Sequence, residues 1–146
     1  MITLRPATAA DQKTIVKIVK AAQINPADIK WRHFVVAVDD ETGQIVSIGQ
    51  IKMHGDGSEE LTSIATVPDY QRRGLAHQVI ERLIAGHPER LFLTCLSTMS
   101  PFYEQFGFRV IDESQMTPYY RRLVKIVKAY EVLSNSGREL RVMRRD

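Results

Sequence analysis

Apolar and polar positions alternate along Met1–Arg5 as in a short strand, and Pro6 stops the run. The period then lengthens. Thr8 reads as a helix N-cap with Asp11 three residues on, ahead of Ile15, Ile18, Val19 and Ala22 on one helical face, and Asn25-Pro26 breaks that helix. A short helical stretch over Ala27–Arg32 leads to Phe34–Val38, a strand by its β-branched residues. Asp39–Gly43 is turn chemistry and Ile45–Met53 alternates again, so the two strands form an antiparallel hairpin.

His54–Ser58 is a loop, Glu60–Val67 the next strand, and Pro68 closes it. Gly74–Ala85 carries Leu75, Ala76, Val79, Ile80, Leu83 and Ile84 as one apolar stripe before Gly86 and Pro88 end the helix. With the apolar strand Leu91–Leu96 this makes a βαβ unit, whose strands should be parallel and connected right-handedly. A short helix from Ser100-Pro101 to about Phe106, a stop at Gly107 and a strand around Phe108–Ile111 follow. Thr117-Pro118 starts a helix with Tyr120, Leu123, Val127 and Tyr130 on one side, Ser134–Gly137 ends it, and Glu139–Met143 is the last strand. The expected fold class is α/β (α+β), a mixed, mostly antiparallel twisted sheet with a central parallel βαβ unit and flanking helices.

Composition bounds this picture. The 146 residues are 44% hydrophobic and 25% charged, the profile of one globular domain over residues 1–146. A single cysteine, Cys95, excludes a disulfide framework and a Cys-based zinc site. His33 and His87 have no ligand spacing with another His or acid, so no metal site is expected. The apolar runs fall short of a membrane span and the start lacks signal-peptide order, which makes the cytoplasm the expected location, with no membrane partner.

The net charge of +3 is uneven: residues 121–146 carry eight Lys/Arg against three acids, leaving residues 1–120 at −2. A basic end suits nucleic acid or another anionic partner. Here the helical cations alternate with Leu123, Val124, Ile126 and Val127, which is what a solvated face opposite a packed one produces.

The chemistry concentrates at Val67-Pro68-Asp69-Tyr70-Gln71-Arg72-Arg73-Gly74-Leu75-Ala76, between a strand and a helix. The first amides of a helix have no internal partner and the helix dipole makes that end positive. Gly74 and Ala76 keep bulk away, Arg72 and Arg73 add full charges, and a phosphate or pyrophosphate fits. The order is neither a Walker loop nor a Rossmann turn.

Gln71-x-x-Gly74-x-Ala76 resembles the Q/R-x-x-G-x-G/A loop of the GNAT acetyltransferase superfamily, and Phe102-Tyr103-Glu104-Gln105-Phe106-Gly107-Phe108 resembles that family's F-Y-x-x-x-G-F segment. Element order agrees from Met1 to about Ile111. The resemblance implies an acetyl-CoA-dependent N-acetyltransferase acting on a primary amine through a ternary complex. It implies that Arg72, Arg73, Gly74, Leu75, Ala76 and His77 hold the pyrophosphate. The strand around Ile64, Ala65, Thr66 and Val67 is expected to bulge and part from Leu91–Leu96, with pantetheine in the resulting V and the acetyl carbonyl on a free N–H of Ala65 or Ile64.

The resemblance makes Tyr103 the acid for the leaving thiolate, since a phenol with an ordinary pKa of about 10 stays protonated at neutral pH. Glu60, 11 positions before Gln71, is the first choice of base, with Glu59 and His54 second. Taken alone, a Glu at a strand start is solvated surface, His54 is an exposed loop residue, and Cys95, without a local His–acid partner, is a buried apolar thiol. Acids at Asp56, Glu59, Glu60, Asp112 and Glu113 suggest a rim suited to a cationic amine, and Trp31 either packs over an acceptor cleft or anchors its short helix. Two alternatives stand beside the enzyme: a CoA or acyl-CoA sensor without turnover, and a nucleic-acid or anionic-partner module using the basic C-terminal segment. A homodimer is compatible with either.

Overall fold

The computed structural model describes residues 1–134 and 139–146. Its strands are β1 (Ile2–Pro6), β2 (Phe34–Asp39), β3 (Gln44–Met53), β4 (Glu59–Thr66), β5 (Leu91–Leu96), β6 (Arg109–Val110) and β7 (Leu140–Arg145). The helices are α1 (Gln12–Ala21), α2 (Leu75–Ala85), α3 (Ser100–Glu104) and α4 (Pro118–Ser134). The strands form a seven-stranded, mostly antiparallel sheet in the order β1-β2-β3-β4-β5-β7-β6, with β4 and β5 as the parallel pair. The chain folds as two compact units, residues 1–52 with 61–88 and residues 53–60 with 89–146.

In the first unit β1 lies antiparallel to β2, with Leu4 opposite Ala37, and β2 lies antiparallel to β3 with a bulge at Ala37/Val38. Asp11 stabilises the entry to α1: Thr8 N–H donates to its carboxylate at 2.7 Å and so does the Arg5 guanidinium, also at 2.7 Å. The Arg5 hydrogen bond holds the Asp11 carboxyl below the ordinary carboxylate range, against a smaller opposing effect of burial. The apolar face of α1, Ile15, Ile18 and Val19, packs with Phe34, Val36, Ile45 and Ile48.

The helical stretch expected over Ala27–Arg32 does not form; one 3-10 turn at Trp31–His33 is all that is present. The competing interactions are visible. Asp28 has a left-handed φ of 56°, and Gln12 takes the backbone for itself, donating to Ile29 O at 2.7 Å and accepting from Trp31 N–H at 2.8 Å. Trp31 packs against the α1 core, with the Arg32 guanidinium 4.8 Å from its ring.

Helix α2 buries Leu75, Val79, Ile80 and Leu83. Gly49 on β3 makes that approach feasible: a Cβ there would lie 2.8 Å from Val79 Cγ1 and 2.6 Å from Ile64 Cδ1.

In the second unit β7 pairs antiparallel with β5 on one side, Leu91 opposite Arg145, and with β6 on the other. Glu60 pairs in parallel register with Phe92. Phe92, Ile111, Met116, Tyr120, Val124 and Val142 form the core. Helix α4 starts at Pro118 as its sequence predicts, but it buries Tyr120 and Val124, with Leu123 partly buried beside them, while Tyr130 is 68% exposed. Of the expected stop over Ser134–Gly137, residues 135–137 lie outside the described residues.

Candidate active site

The first component is the loop ahead of α2. Arg72 and Gly74 both have left-handed backbone, φ 65° and 76°, and Gly74 is the N-cap of the helix. Only Gly takes that conformation without a Cβ penalty, and open space surrounds the place a Cβ would occupy. Gln78 N–H donates back to Gly74 O at 3.1 Å, so the amides before it have no preceding helical turn to bond. Arg72, Arg73 and Gly74 are exposed, Ala76 and His77 partly so, and Leu75 is buried as the first core residue of α2. His77 Nε2 meets Glu81 Oε1 at 2.5 Å.

Neighbouring side chains brace this loop. The Tyr70 hydroxyl donates to Asp39 Oδ2 at 2.5 Å, the Arg73 guanidinium lies 4.7 Å from the Tyr70 ring centre and donates to Asp69 O at 3.1 Å, and Gln71 Nε2 donates to Thr66 O at 3.2 Å. Tyr70 was not singled out by the sequence; its signal was the Asp69-Tyr70 pair between Pro68 and Gln71. Thr66, Val67, Pro68 and Gln71 line a pocket of about 440 Å³ with Thr14 and Lys17 of α1.

The strand irregularity expected at Ile64–Val67 falls at Ser63, which has φ 56° inside β4. Gln50 Nε2 donates to its hydroxyl at 2.8 Å, and both side chains are buried. A left-handed residue interrupts the two-residue alternation of a strand, the backbone signature of a bulge. Beyond it the Ala65 carbonyl accepts from Ser47 Oγ at 3.2 Å, and Val67 N–H donates to Val46 O at 2.9 Å.

The second component sits in the second unit, where His54 and Glu60 are brought together. Neither is the solvated residue that its sequence position suggests: their side chains are 9% and 8% exposed, and His54 Nε2 lies 2.8 Å from Glu60 Oε1. The His54 ring stacks on Tyr119 at 3.7 Å between centroids and meets Tyr120 edge-on at 6.0 Å. Asp56 is exposed, with its carboxylate engaged by neighbouring groups. Its carboxylate accepts from Ser58 Oγ at 2.6 Å and from Tyr119 N–H at 3.0 Å, and these bonds hold its pKa well below the ordinary carboxylate range. Tyr119 does not stand out in the sequence pattern; the Tyr119-Tyr120 pair just inside the α4 N-terminus is the available signal.

Tyr103, on α3, packs edge-on to Phe102 and Phe108. Burial, and secondarily Cys95, push its hydroxyl above the ordinary phenol range. Cys95 is half-buried with Sγ 3.7 Å from Met143 Sδ; burial raises its pKa, opposed by a hydrogen bond with Ser100. Cations of the basic C-terminal segment pair with nearby acids: Lys128 with Glu113 at 2.8 Å, Arg141 with Glu139, and Arg144 with Asp146 at 2.9 Å. Among the described residues no helix is long and apolar enough to cross a membrane.

Comparison with known proteins agrees with this arrangement of elements. The acetyltransferase (GNAT) domain family matches residues 30–110, and the chain belongs to that family of N-acetyltransferases. No curated protein matches by sequence. Among solved structures, Rv2747 from Mycobacterium tuberculosis in complex with CoA is similar at a TM-score of 0.72 and 19% identity, over 98% of each chain. The ribosomal-protein-S18-alanine N-acetyltransferase from Escherichia coli gives 0.66 and 17%, over 99% of this chain and 93% of that one. N-acetylglutamate synthase from Neisseria gonorrhoeae complexed with coenzyme A and N-acetyl-glutamate gives 0.71 and 17%; this chain is 99% covered but spans only 35% of the synthase.

Proposed function

We propose that the protein moves an acetyl group from acetyl-CoA to a primary amine by direct attack in a ternary complex. The observation that carries this reading is the loop ahead of α2, where left-handed Arg72 and Gly74 open a helix N-terminus that two arginines flank. Unbonded amides, a positive helix end and two cations match a pyrophosphate in charge and in donor number. On this reading Arg72, Arg73, Gly74, Leu75, Ala76 and His77 bind the pyrophosphate. Ile64, Ala65, Thr66 and Val67 offer backbone to the pantetheine arm. The CoA-bound relatives support the choice of anion.

Tyr103 donates the proton that the leaving thiolate needs, and its raised pKa keeps the phenol protonated at neutral pH. Glu60, with His54 hydrogen-bonded to it, supplies the proton acceptor. Two relatives are named for acceptors that present an amine, an amino acid and a ribosomal-protein alanine, which supports a primary amine as the acceptor class. A chain whose lone cysteine has no partner for a disulfide suits the reducing cytoplasm.

The experiment is thiol release from acetyl-CoA with a panel of alkylamines, amino acids and peptide N-termini, alongside calorimetry with CoA. Binding together with amine-dependent thiol release is expected. Binding without release under any amine would make the protein a sensor, and no binding would sink the reading altogether.

A further inference from the structure

We infer that the pocket bounded by α1, the start of β3 and the end of β4 is a ligand site in its own right, and that it takes a small carboxylate with an aliphatic body. Its lining residues all belong to the first compact unit, and the inference does not depend on acetyl transfer.

The end of α1 makes the pocket. Thr14, Lys17, Ile18 and Ala21 recur at i, i+3, i+4 and i+7, one stripe of the helix. The helix caps at Ala22 and Gln23 turns left-handed at φ 59°, so the last turn ends on two exposed alanines. Their methyl groups are too short to cover what lies beneath them. The floor is Ile18 and Ile45, both core residues, with Val67 packed against the same core. Apolar core surface therefore reaches the outside at this point.

A volume of about 440 Å³ falls within the roughly 300–1,000 Å³ of ordinary small-molecule sites, which likewise combine apolar walls with a few polar groups. Among the described residues that line it, Lys17 is the one charged group and none is an acid. Thr14, Gln44 and Gln71 add neutral polar groups. Lys17 is exposed, and a lysine beside apolar surface lays its stem along that surface and keeps its ammonium at the water's edge. A carboxylate at the mouth, with its hydrocarbon chain on the Ile18, Ile45 and Val67 floor, matches that order of groups. Arg72 and Arg73 do not line the pocket, which separates it from the anion loop ahead of α2.

The test is an NMR titration of the full chain with sodium hexanoate at constant ionic strength, followed on the methyls of Ile18, Ile45 and Val67 and on the amides of α1. Saturable shifts centred on these groups are expected, with a Kd on the order of millimolar, because a ligand of so few atoms gains little more. Hexylammonium, the same chain with the opposite charge, should bind roughly 5- to 10-fold more weakly, and Lys17→Glu should reverse that preference. Ala21→Leu keeps helix propensity, places a side chain over the floor and should abolish binding of both.

The inference is overturned if hexanoate gives no saturable shift up to tens of millimolar, if the shifts centre on Arg72–Leu75 instead, or if Lys17→Glu keeps the wild-type preference. Should Ala21→Leu fail to fold, the charge reversal at Lys17 decides alone. None of these outcomes touches the acetyl-transfer reading, which stands or falls on CoA binding and thiol release.

Discussion

The Tyr70 hydroxyl reaches Asp39, thirty-one residues away, at 2.5 Å, and so ties the loop ahead of α2 to the end of β2. The same ring carries the Arg73 guanidinium 4.7 Å from its centre. Tyr70→Phe keeps the ring and removes the tether. A net hydrogen bond is worth about 1 kcal/mol, so CoA binding measured by calorimetry should weaken roughly 3- to 10-fold while kcat changes little.

That bond also sets a pH dependence. The Tyr70 hydroxyl and the Glu41 amide hold the Asp39 carboxyl below its ordinary range. A carboxyl depressed in the folded state contributes stability that is fully present above its unfolded pKa and is lost as pH falls through the folded one. The contribution should therefore be constant from neutral pH down to about pH 4 and fade below it. A urea midpoint for Asp39→Asn that differs from wild type at pH 7 and converges on it in strong acid would agree.

Arg72 separates charge from backbone. With φ 65° it already carries the left-handed penalty, so Arg72→Ala removes only the cation, and Arg72→Gly removes the cation and relieves roughly 1 kcal/mol of backbone cost. Both should weaken CoA binding several-fold and flatten its salt dependence, while thermal denaturation should find Arg72→Gly the more stable of the two. Equal CoA affinity of wild type and both variants would remove Arg72 from the anion site.

Gly49 is where α2 meets β3. A Cβ there would lie 2.6 Å from Ile64 Cδ1 and 2.8 Å from Val79 Cγ1. Gly49→Val should cost about 1–3 kcal/mol by overpacking, seen as a lower denaturant midpoint, and Gly49→Ala less because the methyl ends can give.

Tyr103→Phe keeps the aromatic packing on Phe102 and Phe108 and removes the proposed acid. Thiol release should fall roughly 10- to 100-fold with CoA affinity unchanged. Because the phenol is raised above its ordinary range, wild-type turnover should hold through mildly alkaline pH and drop only beyond pH 10 or so. Unchanged turnover in the variant would exclude Tyr103 as the donor.

Local chemistry in the sequence was enough for most elements. β-Branched residues located β2, alternation located β3, Thr117-Pro118 located the start of α4, and the order strand, Gln71–Ala76, helix located an anion loop, because each depends on residues within a few positions of one another. The same local reasoning failed at Ala27–Arg32, where the side chain of Gln12 takes backbone groups that a helix would have used. It failed at Tyr130, placed on a packed face and found exposed.

The sequence by itself determined the family, the order of strands and helices, and a shortlist in which Glu60 ranked first and His54 second. Only the tertiary structure decided that these two are one unit: a strand start and a loop residue, both of types that are usually solvated, share a hydrogen bond under the rings of Tyr119 and Tyr120. The physical reason is burial. Whether a charged side chain meets water or a partner depends on what the distant α4 brings over it, and no local pattern in residues 54–60 carries that information.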